Sequence, residues 1–304
     1  MKPKIVMSPK RTITVKTIVE KKRDEPSQVA AQGFGPQLVY QGGPLLTNVE
    51  ITPIYWGSPW ANDPNQPLLD KFYEFAVASS IVGNLSEYSV PGFTIGLGST
   101  MPSQIVINND PGSSVDDTQI QAFLQSMIDA GTINPDANSL YIVLTPSGTT
   151  VTLQGAASCQ DFCGYHNFFS ATGGQTVIYA VIPYPDCAGC LFASTVFDTI
   201  TTISSHELSE SITDPQLNAW YDPNTGNEIG DICNGNTKVI TTAKVGATPA
   251  GTYNVTVSPT SVVLDGSSPA ALTVSLTPAG GGGGTTGGPY TVQTEWSNAQ
   301  GACV

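Results

Sequence analysis

The sequence predicts an α/β (α+β) body, a mixed sheet with packed helices, that carries a small β-rich insertion. Two observations predict it. Apolar, β-branched runs alternate with stretches of helical periodicity from Leu38 onward. After Cys233 the composition shifts to Thr, Val, Ser and Pro, and the chain closes on one more strand pattern. The expected organisation is a basic N-terminal arm or leader over 1–37, a main domain over 38–237 plus 289–304, and the insertion over 238–288.

Each element has its own warrant. Val49–Trp56 (VEITPIYW) reads as a buried strand, and Pro67–Ser80 places Leu68, Leu69, Phe72, Phe75 and Ala76 at helical spacing. Phe93–Leu97 and Gln104–Asn108 are short strand candidates joined by a Gly/Ser/Pro turn. Asp116–Ala130 is a helix, with acids in its first turn and Ile120, Phe123, Leu124, Met127 and Ile128 on one face. Leu140–Leu144 and Thr176–Ile182 are apolar strands. Leu191–Thr213 is a long helix ended by Asp214-Pro215, because the residue before proline disfavours helix. Within the insertion, TYNVTVSP and ALTVSLTP alternate as strands, and Ala279–Gly288 (AGGGGGTTGG) is a flexible linker.

Charge narrows the partners. Eight of the 11 Lys and Arg lie in residues 1–23, leaving 3 basic and 23 acidic residues, a net of −20, on the rest of the chain. Such a body repels nucleic acid and anionic membrane. No apolar run reaches the ~20 residues that span a bilayer. Six cysteines with few lysines point to a secreted protein, although the N-terminus carries no recognisable signal peptide.

The chemistry concentrates in Ile203–Pro215, ISSHELSESITDP. His206-Glu207 opens like the zinc-protease pattern H-E-x-x-H, with Glu210 in place of the second histidine. Residues four apart share a helix face, so His206 and Glu210 can ligate one ion. The only other histidine, His166, ends CQDFCGYH (Cys159–His166) and is the expected third ligand. Glu207 is the candidate general base, deprotonating a metal-bound water. Asp214, Glu228 and Asp231 are alternative ligands or orienting residues. The competing account is a capped polar helix with His206 hydrogen-bonded to a carboxylate and His166 in a turn. Zn2+ is the expected ion. Ca2+ is a second candidate, because Asp222, Asn224, Glu228 and Asp231 in WYDPNTGNEIGD are spaced like an oxygen-rich loop, although a plain Asn-Thr-Gly turn with surface acids is the favoured reading of that stretch. Ser204 and Ser205 adjoin His206 on the same helix, where neighbouring side chains diverge and form no serine–base pair.

Cys159, Cys163, Cys187, Cys190, Cys233 and Cys303 are expected to form three disulfides, 159–163, 187–190 and 233–303, with a four-cysteine zinc site as the alternative for the first four.

Together, Gly42–Trp60, CQDFCGYH, SITDPQLNAWY, Glu228–Cys233 and the closing YTVQTEWSNAQGACV resemble the phosphate-induced protein 1 (EXORDIUM-like) family. The resemblance implies a secreted, wall-associated or extracellular protein. Two functions follow. One is a secreted zincin-like metal-dependent hydrolase, a metallopeptidase with a zincin-like sheet and helices, acting on extracellular peptide or protein. The other is a non-catalytic extracellular protein contacting protein or wall polymer, its metal structural or absent.

Overall fold

The computed structural model describes residues 38–232 and 234, together with the backbone of four strands between 237 and 293. In chain order the first half runs β1 (Val39–Tyr40), β2 (Glu50–Trp56), α1 (Gln66–Ala78), α2 (Ser80–Gly83), β3 (Ser99–Thr100), β4 (Gln104–Val106), β5 (Ser114–Asp116) and α3 (Asp117–Asp129). It continues with β6 (Ser139–Leu144), β7 (Thr150–Leu153), β8 (Ala156–Ala157), β9 (Tyr165–Ser170), β10 (Thr176–Ile182), α4 (Val196–Thr213), β11 (Trp220–Tyr221) and α5 (Ile229–Ile232). The last strands are β12 (Thr237–Ile240), β13 (Tyr253–Ser258), β14 (Thr273–Pro278) and β15 (Tyr290–Gln293).

The central sheet has the order β3-β2-β6-β10-β9, with β4 also paired to β2. All its pairings are parallel except the last, where β9 runs antiparallel to β10 with His166 opposite Ala180. Strand alternation sorts side chains into two cores. Leu140, Ile142, Leu144, Ile178, Ala180 and Ile182 pack with α1 and α4. Tyr141, Val143, Val177, Tyr179 and Val181 pack on the other face with α3. The body is therefore a three-layer α/β arrangement in which α4 lies against β9, β10, α1, α2, α5 and β15.

Helix α4 is buried on every side from Thr199 to Thr213 although half of that stretch is Ser or Thr. Most of its hydroxyls answer to its own backbone: Thr202 donates to Asp198 O at 2.8 Å, Ser205 to Thr202 O at 2.9 Å, Ser209 to Ser205 O at 2.9 Å and Thr213 to Ser209 O at 3.0 Å, while Ser204 pairs with the Tyr73 hydroxyl of α1. Hydroxyls satisfied this way can be buried at little cost, so the helix faces of Ile200, Ile203, Leu208 and Ile212 can pack fully.

The expected strands at 49–56, 140–144 and 176–182, and the helices at 67–80 and 116–130, form with ends shifted by no more than two residues. Three expectations change. Phe93–Leu97 makes no strand; Val90 and Phe93 instead close a tight turn. Helix α4 starts at Val196, not Leu191, because Thr195 caps it by accepting from Asp198 N at 3.0 Å.

The disulfides also differ, joining Cys159 to Cys187 and Cys163 to Cys190, not 159 to 163 or 187 to 190. Each close pair sits in one tight turn, with Cys159 N bonded to Phe162 O and Cys190 N to Cys187 O. The two turns face each other, so every thiol meets its partner across the gap. The same bonds exclude the four-cysteine zinc site.

The 1–37 arm, the 279–288 linker and the 233–303 disulfide lie outside the described residues. Within the expected insertion β13 pairs antiparallel with β14, and β12 at its start pairs antiparallel with β15, which follows it. Among the described residues, no helix is long and apolar enough to cross a membrane.

Candidate metal centre

The side chains singled out from the sequence converge between β9, α4 and α5. Strand β9 supplies His166. It is held at the sheet edge from the opposite face, where Tyr165 donates to Asp117 Oδ1 at 2.7 Å and Asn167 to Asp117 Oδ2 at 3.1 Å. Tyr179 of β10 and Gln121 of α3 donate to the same carboxylate at 2.7 and 2.9 Å. With residues 165 and 167 anchored on that face, pleating turns His166 toward α4.

Helix α4 supplies His206, Glu207 and Glu210. His166 Nδ1 stands 3.6 Å from Glu207 Oε2 and 3.7 Å from Glu210 Oε2. His206 Nε2 stands 3.1 Å from Glu210 Oε1 and 3.9 Å from Asp231 Oδ1, which α5 presents. Glu228 Oε1 approaches His166 Nε2 at 3.7 Å. Two glycines give this cluster its room. A Cβ on Gly230 would sit 2.7 Å from His206 Nδ1, and one on Gly164 would sit 2.5 Å from Ile203 Cγ2 and 3.0 Å from Glu207 Oε1.

The structure thus gathers His206, Glu210, His166 and Glu207, with Glu228 and Asp231 at their flank. Asp214 joins through its backbone: its carbonyl faces His166 Nε2 at 3.2 Å, while its side chain accepts from Ala219 N at 2.5 Å and shapes the turn after α4. Asp222 stays apart, accepting from Asn224 N and Thr225 Oγ1 as an Asx-type turn, which matches the plain-turn account of that loop.

The electrostatics are unusual. His166, His206, Glu207 and Glu210 are 0% exposed and Glu228 is 2% exposed. Both carboxylate oxygens of Glu207 and of Glu210, Glu228 Oε1, Asp231 Oδ1 and His166 Nδ1 are buried without a hydrogen-bond partner. Across residues 38–232 the one Lys or Arg is Lys71, which is exposed. Among the described side chains, the five acids Glu207, Glu210, Asp214, Glu228 and Asp231 therefore have only the imidazoles as cationic neighbours. Even with both imidazoles protonated, five ionised carboxylates would leave three uncompensated negative charges in the interior, a costly state.

Proton affinities respond accordingly. Burial alone would depress His206, but the negative charge of Glu210 at 3.1 Å, with those of Glu207 and Asp231, raises it to about 10. Burial raises Glu207, raises Glu228 far above the carboxylate range with help from Glu210 and Asp214, and lifts Asp231 to about 7. Burial works against ionised Glu210 too, yet the two imidazoles hold it below its ordinary value.

A divalent cation would meet this demand. Ligand atoms on one tetrahedral zinc with bonds of ~2.1 Å lie roughly 3.4 Å apart, and the distances of 3.1–3.9 Å here bracket that separation. The Asp214 carbonyl can only accept, so His166 Nε2 carries a proton, and in the neutral imidazole the Nδ1 lone pair is aimed at Glu207 and Glu210. Glu207, expected about 100° around the helix from the His206–Glu210 face as a general base, lies 3.6 Å from His166 Nδ1. The second histidine reaches it from β9.

No family model matches the chain. It is 27% identical to Protein EXORDIUM-like 5 of Arabidopsis thaliana over 237 residues, 65% of this chain and 64% of that protein. It is 25% identical to Protein EXORDIUM-like 3 of the same plant over 238 residues, 66% of this chain and 69% of that protein. The match therefore spans less than two thirds of the first relative. These similarities support a distant kinship between this chain and the EXORDIUM-like proteins.

Proposed function

We propose that this protein is a non-catalytic extracellular protein of the EXORDIUM-like kind, with a structural metal centre around α4. The observation that carries the reading is the complete burial of His166, His206, Glu207 and Glu210 together with unpartnered carboxylate oxygens. Structural zinc sites are closed by protein ligands, whereas catalytic ones keep a position open to water and substrate. Two disulfides and the likeness to EXORDIUM-like proteins support an oxidising, extracellular setting. Zinc is the proposed ion, since imidazole and carboxylate donors together suit it better than Ca2+.

A metallohydrolase is the second reading, favoured by the adjacency of His206 and Glu207 on a helix packed against a mixed sheet. In that reading Glu207 would be the general base, and a bound ion would supply the acidity of the water it activates. Against it, Glu207 stands 3.6 Å from His166 Nδ1, at the distance of a fellow ligand.

The test is metal analysis of protein purified from an oxidising compartment, then refolded with zinc or with chelator. Bound zinc, a higher thermal midpoint with zinc, and no peptide hydrolysis in either wild type or Glu207→Gln support the structural centre. Zinc-dependent hydrolysis abolished in Glu207→Gln, with metal retained, establishes the hydrolase instead. Absence of metal and of any midpoint change removes both readings.

A further inference from the structure

We infer that the centre holds two divalent cations bridged by the carboxylate of Glu210, an inference that rests on the metal reading above and deepens it. The geometry splits the ligands into two sets that share one residue. Donor atoms of His166, Glu207 and Glu210 lie within 4.8 Å of one another, and so do those of His206, Glu210 and Asp231. Glu210 divides its oxygens between them, Oε2 at 3.7 Å from His166 Nδ1 and Oε1 at 3.1 Å from His206 Nε2. A carboxylate with one oxygen in each set is the bridge of a dinuclear site, whose ions sit ~3.5–4 Å apart.

Each set has the same chemical make-up, one imidazole and two carboxylates. In the first, both oxygens of Glu207 and Nδ1 of His166 are fully buried without a hydrogen-bond partner, and in the second Asp231 Oδ1 is. Charge favours two ions over one. With neutral imidazoles, a single divalent cation leaves the five acids at a net of −3, and a pair leaves them at −1. The donor set suits first-row ions such as Zn2+ or Mn2+.

The full chain is refolded with Mn2+ alone or Zn2+ alone, dialysed and assayed for metal, and the Mn2+ form is examined by electron paramagnetic resonance. Two equivalents with an exchange-coupled manganese signal are expected. The conservative Asp231→Asn is expected to retain about one equivalent with an uncoupled signal; should it fail to fold, the wild-type spectrum decides. One equivalent in the wild type overturns the pair while leaving a single structural ion in place. Two equivalents with uncoupled spectra overturn the Glu210 bridge. No bound metal at all overturns this inference and the metal reading together.

Discussion

Gly230 lies flush against His206: a methyl group added at its Cα would come within 2.7 Å of Nδ1 and 3.0 Å of Glu210 Oε1. Helix α5 can therefore bring Asp231 to the imidazole only because residue 230 has no side chain. Gly230→Ala is expected to lower bound metal by at least half and to destabilise the fold by ~1–3 kcal/mol, as overpacking does. Gly83→Ala is the control, since its Cβ would meet only Leu97 Cδ2 at an ordinary 3.6 Å. Metal assay and urea unfolding of both variants check the contrast.

The metal-free protein should lose stability as pH rises. His206 goes from an ordinary value near ~6.5 to about 10 on folding, and Asp231 from ~3.9 to about 7. Both folded values are raised, so their stabilising contributions are present at low pH. That of Asp231 is lost by about pH 7, and that of His206 as pH climbs toward 10. Glu210, held low by the imidazoles, opposes this only at acid pH. Urea midpoints should show the chelator-refolded protein at least ~2 kcal/mol less stable at pH 9 than at pH 6. Metal-loaded protein should show the reverse slope, since protons compete with the ion for its ligands.

The paired disulfides should couple redox state to the centre. Cys163 lies three residues before His166, and Cys190 leads into α4, so that bridge ties the strand bearing one imidazole to the helix bearing the other. Replacing Cys163 and Cys190 together by Ser is expected to cost ~3–4 kcal/mol in the chain-entropy account, less whatever the neighbouring bridge already constrains. Metal retention should fall with it. Full metal content in a folded double variant would show that β9 keeps its place without the bond.

Asp117 is the anchor of β9 from the far face. Asp117→Ala strands the hydroxyls of Tyr165 and Tyr179 and the amide of Asn167, all of which donate to it. A loss of ~3 kcal/mol or more is expected, given ~1–3 kcal/mol for each buried group left unsatisfied. Asp117→Asn keeps an acceptor oxygen and should lose about half as much in thermal unfolding.

Much of this architecture was legible in the residues, and the exceptions have physical causes. Helix α3 declared itself through Asp116, whose side chain caps it in a capping box with Gln119, and through the apolar spacing of Ile120, Phe123 and Leu124. Strands β6 and β10 were legible because both faces are buried and both read as continuous apolar runs. Strand β9 was not, since its buried polar residues His166 and Asn167 are satisfied by distant partners that local pattern does not reveal. Helix α5, four residues long, is too short to show periodicity, so Asp231 read as part of a loop. The cysteine pairing depended on two turns meeting 27 and 28 residues apart in sequence, which spacing alone does not encode. At the centre, His206 and Glu210 were evident from their i,i+4 spacing, whereas the place of Glu207 depends on where β9 carries His166.

The burial of α4 on all sides has a kinetic consequence. Ions held at the proposed centre would be enclosed by His166, His206, Glu207 and Glu210, all fully buried, and would leave only when the helix parts from β9 and α5. Release then keeps pace with opening of the native state, slow and steeply accelerated by heat. An ion acquired there during folding would stay with the molecule for the life of its fold.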